Sequence, residues 1–260
     1  MTRILALVLV AVAAGLSLGG CATTTVMGSG AGVTATDAKR LTQSGFLSDY
    51  ARLRPTPWGA GIECWRDSAL HANKYDKVLI SRIAVSTQSE QTIDPTDLKT
   101  LTDYFHASLV RALSPQMTVV NKAGPGVLVI RLALTKLLPT GVAESLAGTL
   151  VPYGFVAEAG SGAATGRPAG STPYLGETGL ELQFRDGATG AVLGECRDTE
   201  IGRKYAGDLN AGSVGAAQTW ASGYLNSFQS WSYAKDAFDK WSILIAQRLA
   251  LLRAAGPTKN

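Results

Sequence analysis

Three cysteines, Cys21, Cys64 and Cys196, are the most reactive side chains in this 260-residue sequence. Cys21 follows Leu18-Gly19-Gly20, small residues that let a chain enter a peptidase in extended form, and its thiol can take a diacylglyceryl group. Other chemistry is sparse. Of the two histidines, His106 flanks an apolar helical face and His71 sits in irregular chain. Neither has a second ligand at metal-binding spacing, so no metal site is expected. The Gly-x-Ser-x-Gly pattern occurs at Gly15 to Gly19, inside the leader, so a hydrolase elbow is not expected in the processed chain. Gly160-Ser-Gly162-Ala-Ala-Thr-Gly166 approximates a dinucleotide loop, but its third glycine is one place late and no strand-to-helix junction surrounds it. Acidic residues such as Glu63 and Asp67 do not stand out from ordinary surface charge. No catalytic residue and no cofactor is expected, and the chain is read as a non-enzyme.

The leader itself is informative. Thr2 and Arg3 precede an apolar run from Ile4 to about Leu16. A membrane span needs about 20 residues, so this run falls short and has instead the length of a signal-peptide core. Ending on Leu-Gly-Gly-Cys21, it resembles the bacterial lipobox, which implies cleavage before Cys21 and lipidation on it. An ordinary secretory signal with a chance cysteine is the alternative. Ala22 in place of an aspartate implies, by the sorting pattern of such lipoproteins, the outer membrane rather than the inner one, with the protein facing the periplasm. Two or more acyl chains anchor a protein stably, so the lipid bilayer is the first expected partner.

Apolar residues make up 46 % of the chain and charged ones 17 %, with a formal net charge of +4. That supports a real core but is too weak a balance to argue for nucleic acid. With Cys21 consumed by lipid, Cys64 and Cys196 would face an oxidising compartment, where thiols pair if geometry permits. The two can form a disulfide or remain separate buried thiols.

The elements that must position these residues follow from spacing. Ala22 to Arg40, rich in Gly, Ser, Thr and Ala, reads as a tether spanning roughly 24 Å as a coil. Leu41–Pro55 reads as a short helix or turn, and Lys77–Val85 as a strand by its β-branched content. Asp94-Pro95 starts a helix whose apolar face is Leu98, Leu101, Phe105, Leu109 and Leu113. Short and long strands follow at 117–120 and 127–135. Gly179–Arg185 alternates cleanly, turns at Asp186–Gly190, and returns from Ala191 to Arg197. Tyr233–Arg253 is an amphipathic helix, with Lys235–Asp239 and Asp236–Lys240 as i,i+4 pairs on its outer side. The order predicts an α+β domain, a mostly antiparallel sheet with helices packed on one face, preceded by a signal peptide and a flexible tether. The boundaries are a signal peptide at 1–20, a lipidated tether at 21–40, one domain at 41–254 and a disordered tail at 255–260.

Residues 137–172 interrupt that domain. The segment starts apolar, with a short helix expected near 143–150, and becomes Gly/Ala/Ser-rich from Ala159. A structureless loop beyond about 12–15 residues is often functional. Leu146, Leu150 and Phe155 therefore serve as candidate contacts with a partner or the membrane surface, with burial in the domain's own core as the alternative. Trp220, Tyr224, Phe228, Trp231 and Tyr233 form an aromatic cluster, read mainly as core.

Several motifs resemble one family. Leu41-Thr-x-Ser-Gly-Phe-Leu-x-Asp-Tyr50, Tyr75-Asp76-Lys77-Val78-Leu79-Ile80, Gly124-Pro125-Gly126 before a strand ending in Thr135, and Glu181 followed by Asp186-x-x-Thr-Gly190 are similar in type and order to the bacterial lipoproteins called domain of unknown function 3313. The resemblance spans about 41 to 250. Cys64, Cys196 and the glycine-rich 159–171 depart from it. It implies location and fold and carries no activity. The leading functional expectation is a non-catalytic envelope lipoprotein that binds or scaffolds another envelope protein or lipid. A carrier or sensor of a small apolar ligand is second, and a cell-wall-acting enzyme third.

Overall fold

In the computed structural model the described residues are 33–59, 61–68, 70–86, 93–141, 176–202 and 230–255, apart from Asp37. They form one nine-stranded sheet with two long helices against it, the α+β class that the element order predicts. The strands are β1 (Val33–Ala35), β2 (Arg54–Pro55), β3 (Glu63–Arg66), β4 (Lys77–Ile80), β5 (Ala84–Val85), β6 (Thr118–Val119), β7 (Val127–Leu138), β8 (Glu177–Asp186) and β9 (Val192–Gly202). The helices are α1 (Pro95–Leu113) and α2 (Ser232–Ala254). The strand order is β2-β3-β9-β8-β7-β4-β6, with β1 also on β9 and β5 also on β7.

The long meander β7-β8-β9 is antiparallel and forms the centre. β4 runs parallel to both β6 and β7, and β5 parallel to β7, so the sheet is mixed beyond β7. The reason is α1, which connects β5 to β6 as a crossover and returns the chain in the same direction. Asp94 caps α1 by accepting from the Thr96 amide at 2.7 Å, with Pro95 in the first turn.

Alternation sorts the two faces of the sheet. Leu128, Ile130, Leu132 and Leu134 of β7 pair with Asp186, Phe184, Leu182 and Leu180 of β8. Most of these side chains belong to the core beneath α1 and α2, with Phe184 packed at its margin. The helices meet through Phe105 and Phe238, whose rings stack at 4.5 Å between centroids. Asp239 does not form the outward i,i+4 pair with Lys235. It turns toward α1 instead, accepting from Tyr104 at 2.7 Å and from Ser108.

Some boundaries differ from the sequence expectation. The tether does not extend to residue 40, because Val33–Ala35 pairs with Glu200–Gly202 as a strand and Val33 is buried. Three residues are too short to show a period. The strand expected over 77–85 is interrupted between Ile80 and Ala84. The segment 41–55, expected as a short helix or turn, holds a short 3-10 turn at Tyr50–Arg52. The insertion expected from 137 begins later, since β7 continues to Leu138 through a register shift near Thr135.

Candidate functional site

The polar face of the sheet is covered by the residues before β2. Glu181 and Gln183 of β8 and Glu195 of β9 point to this face and are almost wholly buried. Ser44 donates to Glu181 from its amide at 3.0 Å and its hydroxyl at 2.6 Å, and the Tyr50 hydroxyl lies 2.9 Å from both carboxylate oxygens. Ser48 and Arg52 hold Glu195 in the same manner, at 2.7 and 2.6 Å. Burial alone would raise the pKa of Glu195. The Ser48 amide, the Arg52 guanidinium and the Gln183 amide outweigh it and hold the carboxyl below its usual range. Every acceptor has a donor from the 44–52 segment or from the sheet, so this face reads as a built-in clasp. A second tie joins Tyr75 to the Asp186 turn at 2.8 Å. There Gly190, at φ +74°, takes the left-handed conformation that glycine permits.

The opposite face carries an apolar cavity. Its volume is about 280 Å³. Leu180, Leu182 and Phe184 of β8, with Gly194 and Cys196 of β9, form its floor. Trp241, Leu244, Ile245, Leu249 and Leu252 of α2 form its roof, and Pro55 to Trp58 close one side. The wall on the β3 side is fixed covalently, because Cys64 and Cys196 stand opposite each other in the β3–β9 ladder and are joined by a disulfide.

Asp198 is the one acidic side chain among the described residues of the lining. It accepts from the Trp241 indole at 2.7 Å. Glu200, two residues on and facing the same way, is fully buried and pairs with Lys240 of α2. Burial first, and the neighbouring Asp198 charge second, push Glu200 up to about 8. Asp198 is also raised, by burial. Lys240 offsets part of the charge on the pair. Lying side by side on one strand, these acids do not flank a cleft as the two carboxyls of a glycosidase do.

The candidates read from the sequence distribute unevenly. Cys21, Leu146, Leu150 and Phe155 lie outside the described residues, as do the Gly160–Gly166 loop, Trp220, Tyr224 and Phe228. His106 is exposed on α1, and His71 is half-buried before a 3-10 turn. Trp231 donates to Asp97 at 2.8 Å, and Tyr233 is buried with its hydroxyl on the Leu138 carbonyl. The residues that the sequence reading missed are Trp58, Trp65, Arg66, Asp198, Glu200 and Arg248. One signal was available: Asp198 and Glu200 share strand parity with Cys196, so acidic residues occupy the face that the hairpin assigns to apolar ones. Among the described residues, no three His, Cys, Asp or Glu side chains are placed to hold a metal ion, and no helix is long and apolar enough to cross a membrane.

Residues 42–245 match the family described as "Protein of unknown function (DUF3313)", and the chain belongs to that family. No curated protein matches. Among solved structures, the chain is similar to a PelC dodecamer from Paraburkholderia phytofirmans, at 15 % identity and a TM-score of 0.31, covering 65 % of this chain and 98 % of that one. A DUF4136 family protein from Bacteroides thetaiotaomicron shows 10 % identity and a TM-score of 0.26, with 65 % and 96 % covered. A Xanthomonas campestris protein of the DUF330 family shows 12 % identity and a TM-score of 0.26, with 64 % and 88 % covered.

Proposed function

We propose that this DUF3313-family chain is a lipoprotein anchored through Cys21 in the outer membrane and facing the periplasm. Its role is non-catalytic binding of an apolar ligand or an apolar group of an envelope partner. The leader, the Leu-Gly-Gly-Cys21 sequence and Ala22 support the location. The observation that carries the binding role is the apolar cavity of about 280 Å³ between β8, β9 and α2. It lies just under the range of about 300–1,000 Å³ usual for ligand pockets. Apolar walls with one acid fit a binding site better than a reaction centre. The disulfide supports the same reading, because it fixes one wall in the oxidising compartment that export provides.

A neutral apolar dye tests the proposal. N-phenyl-1-naphthylamine should bind the chain from residue 21 onward saturably, at one equivalent. Leu244 and Leu252 are half-buried cavity residues, so Leu244→Glu with Leu252→Glu should abolish binding while the protein stays folded. Binding unchanged by the pair would contradict the proposal.

A further inference from the structure

The cavity is not uniform in charge. Three arginines line it without a carboxylate partner among the described residues: Arg54, Arg66 and Arg248. Arg54 and Arg66 are exposed, so they stand at the mouth, and Arg248 is half-buried on α2. The Arg54 guanidinium is fixed by donating to the carbonyls of Ala51 and Leu53, both at 2.7 Å. Arg248 lies over the Trp58 ring at 5.5 Å, which orients it across the opening. Burial lowers the pKa of Arg248, and the nearby charge of Arg66 lowers it further. The two guanidiniums thus lie on the same cavity, near enough for the charge of Arg66 to act on Arg248.

Several other described arginines are treated differently. Arg40, Arg52 and Arg111 each meet an acidic side chain, and Arg197, a fourth arginine of the cavity lining, is neutralised by Glu63. The one acid of the cavity lining does not serve the mouth, since Asp198 is buried and bound to Trp241. A cationic opening above an apolar interior is complementary to a molecule with an anionic head and an apolar tail. The small volume admits one chain and leaves no room for the paired tails of a phospholipid.

We propose that the cavity between β8, β9 and α2 binds a single-chain anionic amphiphile of the fatty-acid class, its tail against Leu182 and Leu244 and its head on Arg66 and Arg248. This rests on the cavity being the binding site. The head reads charge through guanidinium hydrogen bonds, each worth enough for about tenfold in affinity.

The experiment is displacement of bound N-phenyl-1-naphthylamine from the chain 21–260, which contains every described element. Lauric acid, 1-dodecanol and inorganic phosphate are compared at pH 7.5 and low salt. Lauric acid should displace the dye at a concentration at least about tenfold below that of dodecanol, and phosphate alone should not displace it. The advantage should shrink at high salt and nearly vanish in Arg66→Gln with Arg248→Gln, while Arg66→Lys with Arg248→Lys keeps part of it. Thermal melting of each variant confirms folding. Equal displacement by acid and alcohol would overturn the charge assignment and leave the apolar site standing. A dilauroyl phospholipid displacing as well as lauric acid would overturn the single-chain assignment. Failure of the dye to bind at all would overturn both this inference and the binding role.

Discussion

Cys64 and Cys196 are directly opposed across β3 and β9, 4.1 Å apart between Cα atoms and 132 residues apart in sequence. The bond closes a long loop and ties the short β2–β3 pair, which carries the cavity's side wall, to the central meander. Closing such a loop stabilises by about 5 kcal/mol in the chain-entropy model, against about 2–4 kcal/mol in typical measurements. Cys64→Ser with Cys196→Ser should therefore lower the urea midpoint of the folded domain markedly. In the oxidised, denatured protein neither thiol should alkylate. Labelling of both would show that the bond does not form.

The clasp over the polar face predicts a graded series. Tyr50→Phe removes one donor to Glu181 and the acceptor of the Gly45 amide, and leaves Glu181 with its two bonds from Ser44. It should cost about 1 kcal/mol. Glu181→Ala leaves the Ser44 amide, the Ser44 hydroxyl and the Tyr50 hydroxyl without their acceptor and should cost about 3 kcal/mol or more, at about 1–3 kcal/mol for each stranded group. Urea unfolding gives both numbers. Equal effects of the two variants would argue that Glu181 does not organise the segment.

Glu195 adds a pH dependence of one sign. Its folded pKa is lowered by Ser48, Arg52 and Gln183 despite burial. Its contribution is present above the ordinary glutamate range and is lost as pH falls through the folded value. Glu195→Gln should remove part of the destabilisation seen between about pH 5 and pH 3, measured by thermal melting across that range.

Asp198 and Glu200 act in the opposite sense. Glu200 is raised to about 8, so the folded state holds a proton that the unfolded chain releases near its ordinary pKa. The stabilisation is fully present below that ordinary value and is lost as pH rises toward and through about 8. Wild-type stability should fall from about pH 5 to about pH 9, and Glu200→Gln should flatten the decline. A decline of the same slope in the variant would place the titrating group elsewhere.

Much of the frame was legible in the sequence, because it follows from periodicity. The cap at Asp94-Pro95, the face Leu101–Phe105–Leu109 and the alternation Leu180–Leu182–Phe184 each repeat often enough to decide element and buried face. The parallel pairing of β4 with β7 was not legible, since it depends on where α1 returns the chain. Strands of two to four residues, such as Val33–Ala35 and Glu63–Arg66, carry no period at all. The cavity escaped for a related reason: its lining comes from separated stretches of chain, and its arginines look like ordinary surface charge until the fold leaves them without acids. The family motifs were visible but their meaning was not. Ser44 and Tyr50 meet Glu181, and Tyr75 meets Asp186, so the motifs pair with one another as structural ties.

The proposed location rests on residues before the folded part. Cys21→Ser should abolish incorporation of a palmitate analogue and leave the protein unprocessed or released from the membrane fraction. Wild-type protein without label would contradict the anchor.

The binding role requires that the cavity be occupied in the cell. Native mass spectrometry of wild-type protein gently extracted from envelopes tests it most directly, with Leu244→Glu/Leu252→Glu prepared in parallel. An additional apolar mass, beyond that of the acylated chain, should be retained by wild type and be missing from the folded variant. Wild-type protein that carries no such mass, or a variant that retains it, would contradict the assignment.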